Sequence, residues 1–542
     1  MTSHGRVVLI TGLVILGIVG CCWIVSDIAW RTSQATHVAQ AQRAGQAARS
    51  WPPPRPAFTP DEVRAFLAKV RSAEAIADPL QRCVSYPDPP RSHWSPESAK
   101  AYCLYYLQQT ITFDEAEKLI EHGQAAELDR RLAQELQAQL TRPDSHGLLD
   151  HTYFASFNDG SFDVRETLDA WKRASPSSAF AFAASGSAYV AMASKARGGA
   201  YINETPQSNI DAMDRLLQQA DTDLQRAAKL DPKVTPTYVA MINAGSMSLG
   251  GDYLRRAAQA GLAAAPDNYA IYGTLSGATE PRWGGSLAAM DHMARQAQAY
   301  VKQNPLLAIL LSAEPAYRYD VCNCRSSADW SMFPTVFDNV SSVSLLSYAG
   351  GAASEQNHFD LAAIYLSEVL RFQPGAEGAR RQRDVSLPAF GETAMALDDA
   401  SRLIAADPLP SRNFRARADI YMSMGKVALA EKDLEQALAI DPDDIDVLVP
   451  LGDLYANQTY EWDKAWHIAD RIIQKYPNSP AGWMTRATIQ ENQPRAGLAD
   501  TLQHVVEHFG HDPSMQWQIN RMREVLARGP RSAPSFRASK NH

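Results

Sequence analysis

Residues 411–442 read SRNFRARADIYMSMGKVALAEKDLEQALAIDP, and the spacing of large and small side chains along them decides the fold. Phe414, Ala418 and Tyr421 fall on one face of a first helix, and Gly425 supplies a turn. Ala430, Leu434, Ala437 and Leu438 mark a second helix that ends at Asp441-Pro442. Neither half alternates in twos, so the stretch predicts a helical hairpin rather than strands. Small residues stand where the two helices must approach, and large ones where the pair meets a neighbour.

The same pattern continues on both sides. Downstream, Leu448, Leu451, Gly452 and Tyr455, then Ala465, Ala469 and Ile472, lead to Tyr476-Pro477. Upstream, Leu346, Ala349, Gly350 and Ala353, then Phe359, Ala362, Leu366 and Val369, lead to Gln373-Pro374. The helix-ending prolines 374, 408, 442 and 477 are spaced by 34, 34 and 35 residues. A unit of this length buries its apolar face only against a neighbouring copy. A chain of 542 residues would ordinarily divide into three or four globular domains. The period replaces that count with a stack.

This pattern resembles the tetratricopeptide-repeat family, most clearly over residues 343–479. The resemblance implies an all-α, right-handed helical-hairpin solenoid of TPR-like type. Its first helices would line a concave groove that docks a protein or peptide partner, with no cofactor, no small-molecule substrate and no catalysis. By register, Arg412, Arg415, Asp419, Met422, Asp453 and Asn457 should face that groove. The two arginines suit a partner's carboxylate, and solvated repeat surface is the competing reading. Family members that clamp a peptide C-terminus use asparagine where this chain has Asp419 and Asp453, which speaks against that clamp. The array is expected over 343–527, its last helix a cap. Leu387-Pro388 breaks the pattern in one unit, and residues 480–513 keep only Trp483 and Ala487 of it.

Ahead of the array, Thr59, Pro60 and Glu62 form a capping-box start for a helical region over 59–110. Residues 111–310 repeat the hairpin theme at wider spacing, and 311–342 read as an irregular connector. The segment Pro281-Arg282-Trp283-Gly284-Gly285-Ser286 makes the stretch 110–310 resemble a bacterial domain family of unassigned function that accompanies such repeats. Trp283 either staples this loop to its hairpin or, with Arg282, forms an exposed docking loop.

Lys and Arg number 52 against 60 Asp and Glu, and the resulting formal charge of -8 repels phosphates and argues against nucleic acid as a partner. Val7 to Val25 is an uncharged run of 19 residues, about 28 Å as a helix, enough to span a bilayer. Its apolar continuation through Trp23 favours an uncleaved transmembrane anchor, while Ile18-Val19-Gly20-Cys21 keeps a lipidated cysteine as an alternative. Arg6 precedes the run and Arg31 and Arg43 follow it, a near tie; the short N-terminal tail favours a bacterial inner-membrane protein with a periplasmic body. The linker over 26–58 contains Trp51-Pro52-Pro53-Pro54, a stiff spacer, and residues 528–542 form a basic, low-apolar tail expected to be disordered.

Six cysteines are too few for a disulfide-built scaffold. Cys83 and Cys103 flank a proline-rich loop and pair in an oxidising compartment, or stand as two core thiols. Cys322-Asn323-Cys324 reads as a thiol pair or a tight loop disulfide, since no nearby histidine completes a metal set. His504-Val505-Val506-Glu507-His508 has the form of an inverted zinc-peptidase motif, and His511 continues its face. That pattern makes a cell-envelope zinc-dependent hydrolase the alternative function, against a bland solvated repeat face. Ser246 and Ser423 lack the context of nucleophilic serines, and no phosphate-binding glycine loop occurs.

Overall fold

The computed structural model describes residues 56–200, 204–493 and 495–528. Thr59, Asp78 and Ser95 each end an extended segment and start a helix whose first residue is proline: α1 (Pro60–Glu74), α2 (Pro79–Ser85) and α3 (Pro96–Leu107). Proline fits there because the first helical N–H has no intrahelical acceptor. The capping box on α1 is complete. The Glu62 amide donates to Thr59 Oγ1 at 3.3 Å, and the Thr59 amide to Glu62 Oε2 at 2.8 Å.

Ten helices follow: α4 (Phe113–Glu121), α5 (Ala125–Thr141), α6 (Leu148–Ser156), α7 (Arg165–Ala174), α8 (Ala179–Arg197), α9 (Gln207–Leu230), α10 (Pro236–Ala244), α11 (Gly251–Ala264), α12 (Tyr269–Ala278) and α13 (Leu287–Gln298). The alanine-rich α8 lies so close to α9 that a Cβ at Gly186 would meet the Leu224 side chain at 2.6 Å. A polar knot ties α5, α6 and α12 together. The buried Asp150 carboxylate accepts from Gln139 Nε2 at 3.0 Å, Thr235 Oγ1 at 2.7 Å and Asn268 Nδ2 at 2.6 Å.

After a 3₁₀ stretch, Pro305–Ser312, come α14 (Ala313–Arg318) and α15 (Phe333–Val336). The repeat hairpins then run α16 (Val343–Glu355) with α17 (Phe359–Phe372), α18 (Glu377–Ser386) with α19 (Thr393–Ala406), and α20 (Ser411–Ser423) with α21 (Val427–Ile440). They continue with α22 (Ile445–Asn457) and α23 (Trp462–Lys475), α24 (Ala481–Asn492) and α25 (Leu498–Phe509), and the closing α26 (Gln516–Arg528). Among the described residues the chain is all-helical, with no strand. Leu387-Pro388 ends α18 early and a short 3₁₀ turn, Leu387–Phe390, takes its place, because proline removes a helical donor.

The expectation that contacts run mainly between neighbours needs correction at the start of the array. Helices α1 to α3 pack onto α17, and every residue of α17 from Asp360 to Phe372 is buried. The Phe58 amide donates to Asp360 Oδ2 at 2.8 Å, and Trp94 Nε1 to the Phe337 carbonyl at 2.9 Å. Arg371 donates through Nε to the Cys83 carbonyl and through Nη1 to Asp88 Oδ1, both at 2.9 Å. The 311–342 segment joins this core rather than merely interrupting the stack, since Phe333, Phe337 and Val340 are buried in it. Residues 57–107 and 306–400 therefore share one hydrophobic core, and α4 to α13 leave and rejoin it.

The apolar run 7–25 with Cys21, nearly all of the 26–58 linker and nearly all of the 528–542 tail lie outside the described residues. Among those described, no helix is long and apolar enough to cross a membrane.

Candidate partner-binding face

Alpha-helical register places the predicted groove residues on α20 and α22. Arg412, Asp419, Asp453 and Asn457 are exposed, while Arg415 and Met422 are half-buried. Arg415 Nε stands 3.5 Å from Asp419 Oδ2, one turn away, and Asn457 Nδ2 donates to Asp453 Oδ1 at 2.6 Å. The Asp419 side chain is 52% exposed, yet burial among surrounding atoms raises its carboxyl above the ordinary range while Arg415 pulls it back.

The arginines of α20 divide into two kinds. Arg417 turns inward and grips Asp433 of α21 with Nε at 2.7 Å and Nη2 at 2.8 Å, holding the hairpin together. Arg412 and Arg415 take no part in that grip. Two residues were missed by the sequence reading. Arg381 and Val385 on α18 stand 34 residues before Arg415 and Asp419, in the same register. Val385 is 60% exposed, and Arg381 meets Glu377 only at 3.6 Å. The period itself could have found them, but the proline break in this unit hid its first helix.

The Arg282-Trp283 loop is anchored by the helix cap that follows it, while its tryptophan reaches solvent. Ser286 caps α13 by accepting from the Ala289 amide at 3.1 Å, and Gly284 sits at φ +85°. Trp283 stays 43% exposed, with the Arg197 guanidinium 5.5 Å and that of Arg282 5.8 Å from its ring.

The zinc reading of His504, Glu507 and His508 finds no support in their arrangement. The His504 ring is stacked between Trp483, at 3.9 Å, and His508, at 4.0 Å, so the two imidazoles turn faces rather than nitrogens toward each other. Glu507 accepts from Gln503 Nε2 at 2.9 Å. Among the described residues, no three His, Cys, Asp or Glu are grouped to hold a metal ion. Cys83 and Cys103 are joined by a disulfide, both sulfurs buried between α2 and α3, and Cys322 is joined to Cys324.

The tetratricopeptide-repeat family model matches residues 421–489, from the end of α20 into α24, so the chain contains repeats of that kind. Among solved structures, the TPR domain of P58(IPK) is similar over 58% of this chain and 95% of its own length, at 12% identity and a TM-score of 0.20. A likeness that loose transfers nothing about binding. No curated protein matches the chain significantly.

Proposed function

We propose that this protein is a non-catalytic, membrane-tethered scaffold that binds a protein or peptide partner on the face formed by α18, α20 and α22. The observation that carries the reading is the contrast between Arg417, consumed in holding its hairpin, and the exposed Arg412 and half-buried Arg415, which make no bond to the second helix of that hairpin. Guanidinium groups on a concave surface suit carboxylates of an extended partner, and the neighbouring apolar atoms supply area. The uncharged run 7–25 supports a single-pass anchor, with the body on the periplasmic side of a bacterial inner membrane.

Crosslinking of the intact protein in its native membrane tests the reading. Arg412→Glu combined with Arg415→Glu should abolish most partner capture while leaving the thermal unfolding of the body within a few degrees of the parent. Undiminished capture by this variant removes the groove from the proposal. Protection of the body from protease in spheroplasts would remove the periplasmic placement.

A further inference from the structure

The two disulfides of the described chain occupy opposite environments. Cys83 and Cys103 bridge a separation of 20 residues and are 2% and 0% exposed. Cys322 and Cys324 are separated by a single residue, Cys322 is half-buried and Cys324 is exposed. An incoming thiolate reaches only the second pair, and access controls exchange.

The loop that carries the second pair is built rather than loose. The Asp329 amide donates to the Tyr319 carbonyl at 3.2 Å and closes its base. At its centre the buried Asp320 carboxylate accepts from the amides of Arg325 and Ser327, each at 3.1 Å, and from Ser327 Oγ at 3.0 Å. Burial pushes this carboxyl up, but the Ser327 and Arg325 donors and the Arg325 charge outweigh it and hold the group below its usual range. Asp320, Asn323 and Ser326 all adopt left-handed backbone, at φ 51°, 52° and 54°. Asp and Asn enter that region readily and serine less so, and the bonds to the Asp320 carboxylate hold the loop in this path. Cys322 Sγ lies 3.7 Å from Asp320 Oδ1.

We propose that Cys322-Asn323-Cys324 is a thiol–disulfide exchange site that accepts accessible thiols, with Cys324 as the attacked sulfur. A substrate thiolate forms a bond to Cys324 Sγ, the Cys322–Cys324 bond breaks, and Cys322 leaves with the electron pair and takes a proton from water. Its new S–H points at Asp320, which acts as a positioning residue that stabilises the reduced pair. A second substrate thiolate then attacks the substrate sulfur of the mixed disulfide and releases Cys324. In sum, two substrate thiols become one disulfide while the protein disulfide becomes two thiols. The exchange runs in either direction with the ratio of thiol to disulfide.

Differential alkylation of the full chain in glutathione buffers, followed by tryptic mass analysis, separates the pairs, because residues 319–325 (YDVCNCR) carry one and residues 83–91 and 101–118 carry the other. Reduction at 319–325 should be at least about tenfold faster than at Cys83–Cys103 and complete while the latter stays intact. Cys324→Ser should abolish the glutathione adduct at position 324 without altering Cys83–Cys103. In a second arm, the oxidised chain is mixed with a reduced synthetic two-cysteine peptide, and disulfide gained by the peptide should equal disulfide lost at 319–325. Exchange with glutathione but not with the peptide restricts the substrate to small thiols. Reduction of both pairs together, or failure of Cys322 and Cys324 to form a disulfide in glutathione disulfide alone, overturns the assignment.

Discussion

Arg383 of α18 donates to Asp399 of α19 through Nε at 3.1 Å, and both side chains are almost wholly buried. Arg417 and Asp433 repeat this pairing 34 residues further on, at the same positions of the next hairpin, where the arginine is 21% exposed. Arg383 also reaches Glu74 of α1 at 3.0 Å, so the same guanidinium that closes a repeat ties down the N-terminal helices.

Removing one partner of a buried pair strands the other. Arg383→Ala should therefore cost about 3–5 kcal/mol. Arg417→Ala should cost less, about 1–2 kcal/mol, because water reaches part of its pair. Urea unfolding midpoints of the two variants check the order. Equal, small losses would mean that neither bridge matters to its hairpin.

Stability should fall from acid toward alkaline pH. Burial pushes the Glu368 carboxyl from an ordinary 4.5 up to about 8, with Arg371 acting the other way. Burial also lifts Asp150 to about 6 against the donors Thr235, Asn268 and Gln139, and it raises Asp384 beside Asp399. A carboxyl that keeps its proton longer when folded stabilises fully below its unfolded pKa, and that contribution is lost as pH climbs to the folded value. Melting temperatures should drop between pH 5.5 and 8.5, and Glu368→Gln should flatten the decline. A rising profile contradicts the assignment.

Gly285 should tolerate no side chain. A Cβ there would stand 1.9 Å from the Thr279 carbonyl oxygen, so Gly285→Ala must displace the Trp283 loop. Limited trypsin cleavage after Arg282 should rise several-fold. Gly273→Ala, whose Cβ meets nothing within 4 Å, should leave the pattern unchanged.

Mild acid should loosen the C-terminal hairpin. Burial holds the His504 imidazole below its usual range, and the charge of His508 adds to this, with Glu507 opposing. A histidine with a lowered pKa contributes its stability above the unfolded value, near 6.5, and loses it as pH falls. Hydrogen exchange across α25 and α26 should quicken at pH 5.5 relative to pH 7.5, and His504→Ala should remove that pH dependence. Unchanged exchange in the parent protein would rule out a role for the stacked imidazoles.

Much of the architecture is local and therefore legible in the residues alone. The 34-residue period, the capping box at Thr59 and Glu62, the helix-ending prolines and the break at Leu387-Pro388 each act within a few positions of the residue responsible. The common register of Arg381 and Arg415, 34 residues apart, follows from the same spacing. What the sequence did not reveal is the burial of α17 beneath α1 to α3, since Phe58 finds Asp360 across 302 residues and Arg371 finds Cys83 across 288. Pairings of that kind have no periodic signature. They arise when an apolar helix surface and a few polar atoms, each unremarkable in its own segment, become mutually complementary in space. Likewise, two similar cysteine pairs on paper become a sealed bond and an open one only once the tertiary packing decides which sulfur faces water.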